Sequence, residues 1–383
     1  MNKRYAFLCA LLAVILFIMC AVPSAVFAAP EINAKSAVLI EASTGKVLYE
    51  DNADEQLPIA SVTKVMTMLL IMEAIDSGAI KYDDMVTCSE YAASMGGSQV
   101  YLEPGEQMSV DDMLKAIAVA SGNDAAVAMA EHISGSETDF VADMNSRAKE
   151  LGMKNTNFMN VNGLDTENHY SSARDVAIAS AELIKHKDIQ KYLTIWMDSL
   201  RDGEFGLANT NKLIRYYEGA NGIKTGSTSE ALYCLSAAAK RGDMQLIAVV
   251  LGAPTTNDRF NSASRLLDYG FAGWTVKTPD KEENIPKNIS VVKGARETVD
   301  ISVSGSFSAL AEKNKINLVE KQITLPSSVN APVEKGQKIG CIEYTLDGHT
   351  VGKVDIVAEE KVKKINPIIM FWELVGKAAA FAF

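Results

Sequence analysis

Histidine is scarce in this sequence: the 383 residues include four, and they are scattered along the chain. They are His132, His169, His186 and His349. No His-Glu-x-x-His pattern occurs, although zinc peptidases use that spacing to place two metal ligands on one face of a helix. The sequence therefore argues against a metal-dependent peptidase, and we predict that the protein needs neither a metal ion nor a cofactor.

Cysteine is nearly as rare, with five residues in the whole chain. Cys9 and Cys20 lie in an N-terminal apolar run, and the other three, Cys88, Cys234 and Cys341, are far apart in sequence. Three separated cysteines cannot form a disulfide framework, and a domain of this size does not need one. We assign no redox or catalytic role to any cysteine.

Positive charge is in deficit, because 37 Lys and Arg residues face 48 Asp and Glu residues, which leaves a net charge of −11. Proteins that bind nucleic acids present a basic face to the phosphates, so a nucleic-acid partner is excluded. The acidic balance also argues against attraction of the whole surface to anionic lipid. Any membrane contact should therefore be local.

The N-terminus has the features of an export signal over residues 1–28. Lys3 and Arg4 form a short basic region, an apolar run extends from 6 to 22, and small residues end at Ala28, where signal peptidase would cut. Because the apolar run is longer than most signal segments have, an uncleaved N-terminal anchor is the alternative.

Hydrophobic periodicity predicts strands at both ends of the next segment and helices between them. Helical patterns cover 59–75, 110–152, 172–194 and 257–270, and strand patterns cover 36–50, 223–226, 232–239 and 246–251. The first helix is apolar on all sides, so it should be buried. This order predicts an α+β domain over 29–274, with one antiparallel sheet flanked by helices and an inserted helical subdomain.

The C-terminal third predicts a linker followed by a second domain. Residues 275–287 are charged and interrupted by proline, as linkers are. Residues 288–360 show short alternating runs and an Asp347-Gly348 hairpin turn, which predicts a small all-β domain. This domain contains no cluster of candidate catalytic groups.

The last segment, 361–383, has the features of a membrane-association tail. Three lysines open it: Lys361, Lys363 and Lys364. The only charges in 368–383 are Glu373 and Lys377, which would share one helical face. A helix of about 16 residues spans about 24 Å, less than a hydrocarbon core of roughly 30 Å, so we predict an amphipathic helix lying flat on the membrane. A helix docked on its own domain is the alternative.

Three short motifs predict chemistry: Ser61-Val62-Thr63-Lys64, Ser121-Gly122-Asn123 and Lys224-Thr225-Gly226. A serine hydroxyl is a poor nucleophile until a base removes its proton, and positions three apart on a helix share a face, so Lys64 can reach Ser61. Burial and a second cation, Lys224, would both lower the pKa of Lys64 from about 10.4 toward neutrality. The same spacing recurs at Ser146 and Lys149, but on a charged helix.

The three motifs, in this order, are the signature of penicillin-binding proteins and serine β-lactamases. The chain most closely resembles the low-molecular-mass D-alanyl-D-alanine carboxypeptidases, and residues 58–64 and 221–228 look like that family beyond the bare motifs. The resemblance spans essentially the whole chain. It implies a β-lactamase/transpeptidase-like fold with a five-stranded antiparallel sheet, flanking helices and an inserted helical subdomain. A small all-β domain and a C-terminal amphipathic helix would follow.

The resemblance also implies a role for each residue on the nucleophile side. Ser61 would be the acylated nucleophile and Lys64 its base. Ser121 would relay a proton to the leaving amine, while Asn123 would hold the substrate amide. The backbone N–H groups of Ser61 and Ser227 would form the oxyanion hole.

On the opposite strand, the resemblance implies that Lys224 and Thr225 bind the terminal carboxylate of the substrate. Gly226 would let this strand approach closely, because a side chain there would block the ligand. Arg201 would be a second carboxylate contact. The alternative for Arg201 is a solvated surface arginine.

The expected activity is removal of the terminal D-alanine from peptidoglycan pentapeptide stems, through an acyl-enzyme that penicillin also forms. The expected partners are a stem peptide ending in D-Ala-D-Ala, β-lactams as inhibitors, and the outer face of the cytoplasmic membrane. The alternatives are a DD-endopeptidase on cross-linked peptides, a serine β-lactamase and a non-catalytic envelope module. No Glu-x-x-Leu-Asn follows Ser121, which argues against the β-lactamase, and the intact motifs argue against the module. The oligomeric state stays open.

Overall fold

The computed structural model describes residues 29–277, 285–305 and 309–366, together with Phe371. The expected export signal lies outside the described residues, as do the middle of the expected linker and all of 368–383 except Phe371. No helix in the part of the chain that is described is long and apolar enough to span a bilayer.

The described segments form a helix-rich N-terminal domain and a β-rich C-terminal domain. The helices are α1 (Lys64–Asp76), α2 (Glu90–Ala93), α3 (Val110–Lys115), α4 (Asn123–Ser134), α5 (Glu137–Glu150), α6 (Ala173–Leu183), α7 (Gln190–Leu193), α8 (Leu213–Tyr216) and α9 (Thr256–Gly273). The strands are β1 (Ser36–Glu41), β2 (Val47–Asp51), β3 (Met85–Thr87), β4 (Gln107–Ser109), β5 (Met197–Leu200), β6 (Phe205–Ala208), β7 (Ala220–Thr228), β8 (Leu232–Arg241), β9 (Met244–Ala253), β10 (Trp274–Lys277), β11 (Asn288–Val292), β12 (Thr298–Ser304), β13 (Ala309–Glu312), β14 (Glu320–Thr324), β15 (Ser328–Asn330), β16 (Lys338–Leu346) and β17 (His349–Ala358).

One five-stranded antiparallel sheet, in the order β2-β1-β9-β8-β7, organises the N-terminal domain. Side chains on the central strand β9 point alternately to its two faces, as a pleated strand requires. Those facing α9 include Leu246, Ala248 and Val250, and those facing α1 and α6 include Ile247, Val249 and Leu251. The predicted antiparallel sheet flanked by helices is confirmed.

Helix α1 lies in the core, where it packs against α4, α5 and α6 and against the edge strand β7. Its residues are apolar around the circumference, and eight of them, from Lys64 to Met72, are buried. A helix without a polar face is stable only where other elements surround it. The buried position of α1 is the one predicted from the apolar run 59–75, and it brings the N-terminal end of α1 to the edge strand β7.

The C-terminal domain is a six-stranded sheet in the order β14-β16-β17-β12-β11-β15, with its own apolar core. The β16–β17 hairpin turns at Asp347 and Gly348, as the sequence predicts. Strand β10 pairs with β13, so the first residues of the expected linker 275–287 belong to a strand instead.

The first residues of the expected tail, 361–366, contact the C-terminal domain. Val362 is buried and forms a β-bridge with Val333, so this segment continues the C-terminal domain. Lys361, which we expected at lipid headgroups, lies 2.7 Å from a carboxylate oxygen of Glu334. These contacts differ from the expectation because the β-domain uses residues beyond 360 to cover its own core.

Candidate active site

Ser61 and Lys64 lie where the chain enters α1. A 3₁₀ turn, Ala60–Thr63, precedes the helix, and side chains three apart eclipse one another in a 3₁₀ turn. The Lys64 Nζ and Ser61 Oγ atoms are consequently 3.1 Å apart. Lys64 is fully buried, whereas Ser61 is partly exposed and open to a substrate.

The Lys64 amine has two further partners. Its Nζ donates to Asn123 Oδ1 at 2.6 Å and to the backbone carbonyl of Asn162 at 2.7 Å. A neutral amine has two N–H groups and one lone pair. Since the two carbonyl-type oxygens take both N–H groups, the lone pair is left for the hydroxyl hydrogen of Ser61. This is the arrangement that a general base requires.

The electrostatic surroundings of Lys64 favour the neutral form of its amine. Burial lowers the pKa of Lys64 well below its ordinary value, and the positive charge of Lys224 lowers it further. The carboxylate of Asp124 acts in the opposite direction. Backbone N–H groups of Val100 and Leu102 donate to that carboxylate and compensate part of its charge. Desolvation therefore dominates, and Lys64 can accept a proton near neutral pH.

Ser121 and Asn123 form the second wall at the start of α4. The backbone of Ser121 is in the left-handed region, with φ of 63°, directly after a π-helical turn, Ala116–Ala120. Among the described residues, the buried Ser121 Oγ has no hydrogen-bond partner, so this hydroxyl is available to a reacting group. The Asn123 amide is already engaged, since its Nδ2 donates to the Gly96 carbonyl at 2.7 Å and its Oδ1 accepts from Lys64.

The third wall is the edge strand β7. Lys224 is buried, and its Nζ donates to the Thr225 carbonyl at 3.0 Å. Burial, helped by the charge of Arg259, lowers the pKa of Lys224 to about 7. The Thr225 hydroxyl donates to Thr210 Oγ1 at 2.6 Å. A cationic amine at this site would attract a carboxylate.

Gly226 brings β7 against the turn that contains Ser61. A Cβ atom at this position would lie 2.8 Å from both the Ile59 carbonyl oxygen and the Ser61 nitrogen. The glycine is therefore required by backbone packing, and its expected role in leaving room for a ligand stays a prediction. Ser227 follows at the exposed end of β7, paired with Tyr233 of β8.

Arg201 is neither solvated nor free. Its Nε is 2.7 Å from Glu106 Oε1, and a second N–H donates to the other carboxylate oxygen at 3.1 Å. Two further N–H groups donate to the carbonyls of Val100 and Tyr101. Four of its five N–H groups are therefore used to hold the 100–106 loop beside Asp124, and one is left for another partner.

Two sequence families match the chain. The D-alanyl-D-alanine carboxypeptidase family matches residues 24–255, and the C-terminal domain of penicillin-binding protein 5 matches residues 274–364. This chain belongs to the D-alanyl-D-alanine carboxypeptidase family. The resemblance inferred from the three motifs is thereby confirmed.

Individual members of the family align over almost the whole chain. D-alanyl-D-alanine carboxypeptidase DacF of Bacillus subtilis strain 168 is 48% identical over 353 residues, covering 91% of each chain. DacC of Escherichia coli is 35% identical and covers 91% of this chain and 88% of its own. The crystal structure of penicillin binding protein 5 from Haemophilus influenzae, 34% identical, superposes with a TM-score of 0.76 and covers 88% of this chain and 99% of its own. Fold and family therefore agree.

Three residues of the carboxypeptidase site lie outside the motifs. Asn162 binds the Lys64 amine, and Gly163 contacts the backbone next to Ser61 so closely that a Cβ would lie 1.9 Å from the Ala60 carbonyl oxygen. The buried Arg259 of α9 donates to the carbonyl of Gly226 at 3.1 Å. The Asn-Gly dipeptide signalled only a turn, and Arg259 had no sequence signal.

The site contains no obvious place for a metal ion. Within the described residues, no group of three or more His, Cys, Asp or Glu side chains is positioned to hold one. The groups that meet at Ser61 are instead an amine, a hydroxyl and an amide, which suit proton transfer and nucleophilic attack.

Proposed function

We propose that this protein is a serine D-alanyl-D-alanine carboxypeptidase that releases the terminal D-alanine of peptidoglycan pentapeptide stems through an acyl-enzyme on Ser61. β-Lactams would acylate the same hydroxyl. The observation on which the proposal depends is the buried Lys64 amine, 3.1 Å from the Ser61 Oγ, with both of its N–H groups already bonded to other oxygens.

Acylation begins when Lys64 takes the hydroxyl proton of Ser61 and the Oγ attacks the penultimate D-Ala carbonyl. The backbone N–H groups of Ser61 and Ser227 stabilise the oxyanion, each contributing about 3 kcal/mol. The unpartnered hydroxyl of Ser121 passes a proton to the leaving amine and receives in turn the proton that Lys64 took from Ser61, so Ser121 and Lys64 both return to their starting protonation states. The new ammonium on Lys64 stays bonded to the Asn123 and Asn162 oxygens until that transfer occurs.

The free carboxylate of the terminal D-alanine binds at the Lys224 end of β7. Lys224 is positively charged below a pKa of about 7, and Thr225 adds a hydroxyl beside it. Arg201 would be a second contact for the carboxylate through its one remaining N–H, while its other N–H groups stay with Glu106 and the loop carbonyls. A substrate without this carboxylate would lose these contacts.

The second step is attack of water on the acyl-enzyme, which regenerates Ser61. The sequence has no Glu-x-x-Leu-Asn after Ser121, the pattern that class A β-lactamases use for their deacylating glutamate. A penicillin-derived acyl group would therefore hydrolyse slowly, so the expected response to penicillin is long-lived covalent labelling.

The decisive test compares Ser61→Ala with Ser146→Ala in the full chain. Ser146 and Lys149 have the Ser-x-x-Lys spacing, but both are exposed on α5. Ser61→Ala should abolish D-alanine release from a synthetic pentapeptide and labelling by a fluorescent penicillin, while Ser146→Ala should change neither. D-Alanine release or labelling by Ser61→Ala would refute the nucleophile. Mass spectrometry of a cross-linked dimer in the same assay measures any endopeptidase activity.

We propose that the protein is exported and associates with the outer face of the cytoplasmic membrane through its C-terminal segment. The truncation that tests this proposal should end after Asn366. Ile365 donates its N–H to the Lys293 carbonyl at 2.9 Å, so a cut at that point keeps the hydrogen bonds of the β-domain. Deleting 367–383 from signal-cleaved protein should preserve penicillin labelling and abolish sedimentation with anionic vesicles. Sedimentation that persists after the deletion would exclude this segment as the anchor.

A further inference from the structure

His169 lies against the turn that contains Ser61, although it belongs to none of the three motifs. Its side chain is buried, with its Nε2 atom 2.8 Å from the hydroxyl oxygen of Thr63. Its Nδ1 atom accepts a hydrogen bond from the backbone N–H of Met159 at 3.0 Å. Because Nδ1 is the acceptor, the ring proton resides on Nε2, which therefore donates to Thr63.

Thr63 lies between Ser61 and Lys64, at the junction where the 3₁₀ turn becomes an α-helix. It is the last residue of the 3₁₀ turn and directly precedes α1. In a 3₁₀ turn the side chains at i and i+3 eclipse, whereas in an α-helix they are about 60° apart around the axis. Conversion of this turn to α-helix would leave Ser61 and Lys64 on one face but rotate them about 60° out of register, which changes the distance and direction between the hydroxyl and the amine.

The loop that contains His169 is attached to α1 at two further points, but both lie beyond the turn. The Lys64 amine donates to the carbonyl of Asn162, and the Thr67 hydroxyl donates to the carbonyl of Val161 at 2.6 Å. These bonds fix the first turn of the α-helix itself. The side-chain bond from this loop to the 3₁₀ turn is the one that His169 makes.

The imidazole is neutral at physiological pH, so its hydrogen-bond pattern persists there. Burial lowers the pKa of His169 to about 4, although the nearby Asp165 opposes the shift. The ring also packs edge-on against Phe158, with ring centroids 5.9 Å apart. A neutral, immobilised ring has one donor and one acceptor, and here both are used.

We infer that His169 is a positioning residue for the reaction: its hydrogen bond to Thr63 holds the 3₁₀ turn in which the Ser61 hydroxyl and the Lys64 amine eclipse. The inference rests on the proposed function of those two residues. It assigns different effects to the two bonds of the ring. The bond to Thr63 governs the rate of acylation, and the bond to Met159 governs the stability of the loop.

Two substitutions separate these bonds. In His169→Gln the side-chain amide nitrogen reaches the position of Nε2 and keeps the donor to Thr63, but the acceptor for Met159 is lost. In His169→Asn the amide oxygen takes the position of Nδ1 and keeps that acceptor, but the donor to Thr63 is lost. We expect His169→Asn to slow acylation of the full chain by a fluorescent penicillin by roughly 10- to 100-fold, and His169→Gln to stay within about threefold of the wild type.

A double-mutant cycle with Thr63→Val tests the bond directly. Valine matches the shape of threonine without the hydroxyl, so Thr63→Val should slow acylation as much as His169→Asn, and the double variant should be no slower than either. Melting temperatures of all variants separate loss of folded protein from loss of rate. Additive rate losses in the cycle, or equal slowing by His169→Gln and His169→Asn, would overturn the inference.

The Ser61→Ala variant distinguishes the two levels of failure. Labelling that survives Ser61→Ala would refute the proposed function, and with it the meaning of any His169 result. If Ser61→Ala is not labelled but His169→Asn is acylated at the wild-type rate, the proposed function stands and the inference about His169 is wrong.

Discussion

Gly163 lies so close to the nucleophile turn that its replacement by alanine is a sensitive test of the site. Its φ is +86°, and a Cβ atom would lie 1.9 Å from the Ala60 carbonyl oxygen and 2.9 Å from the Ser61 nitrogen. Contacts of Cβ atoms below 3.0 Å are essentially never observed, so the two backbones must separate by about 1 Å. A displacement of that size at reacting groups costs on the order of 100-fold in rate.

Gly152 provides a matched control. Its φ is +78°, and a Cβ there would meet nothing within 4 Å. Gly152→Ala therefore adds only the cost of a left-handed alanine, about 1–2 kcal/mol of unfolding free energy. Gly163→Ala adds the same cost together with the displacement of Ser61. The difference between the two variants isolates the effect of the contact on catalysis.

The assay is the second-order rate of acylation by a fluorescent penicillin, normalised to the folded fraction from denaturant unfolding. Gly152→Ala should unfold at lower denaturant concentration and acylate at the wild-type rate. Gly163→Ala should be slower by about two orders of magnitude. If both variants acylated within about threefold of the wild type, the close contact at Gly163 would not control the position of Ser61.

Two further predictions follow from the charges of the site. Lys224→Met removes a cation that lowers the pKa of Lys64, so that pKa should rise. In a pH profile of the acylation rate, the loss of rate on the acid side should then begin at higher pH than in the wild type. An unchanged profile would show that burial alone sets the pKa of Lys64. The pKa of His169 is lowered from 6.5 to about 4, so the folded protein loses up to about 3 kcal/mol of stability as the pH falls through that window. Urea titrations at several pH values should show a flatter pH dependence for His169→Gln, and an equal slope would contradict the assignment.

The sequence allowed the chemical groups of the site to be predicted because their relations are local or strongly patterned. Ser61 and Lys64 are three residues apart at the start of an all-apolar segment, which implies a buried helix with both groups on one face. The alternating runs around 232–251 likewise predict the hairpin β8–β9. The spacing of reactive residues and the period of apolar residues are both defined within a short stretch of chain, so they can be read from one sequence.

What the sequence did not predict depends on contacts between distant segments. The pattern around Ser61 favours an α-helix, yet the structure begins α1 only at Lys64, after a 3₁₀ turn. Gly163 and His169 contact this turn from about 100 residues away, and local propensity contains no information about them. The left-handed backbone of Ser121 is equally unexpected, since serine has no strong preference for that region.

Two glycines from different parts of the chain converge on the same backbone nitrogen. A Cβ at Gly226 would lie 2.8 Å from the Ser61 nitrogen, and a Cβ at Gly163 would lie 2.9 Å from it, on elements separated by 63 positions in sequence. A strand and a loop thus approach the nucleophile turn as closely as backbone atoms allow. That nitrogen belongs to the N–H group proposed to stabilise the oxyanion, and a donor is effective only when surrounding atoms fix it before the charge develops. We therefore expect the two glycines to act through packing. Because they have no side chain, the strand and the loop can both lie against the Ser61 nitrogen and fix the position of its N–H group.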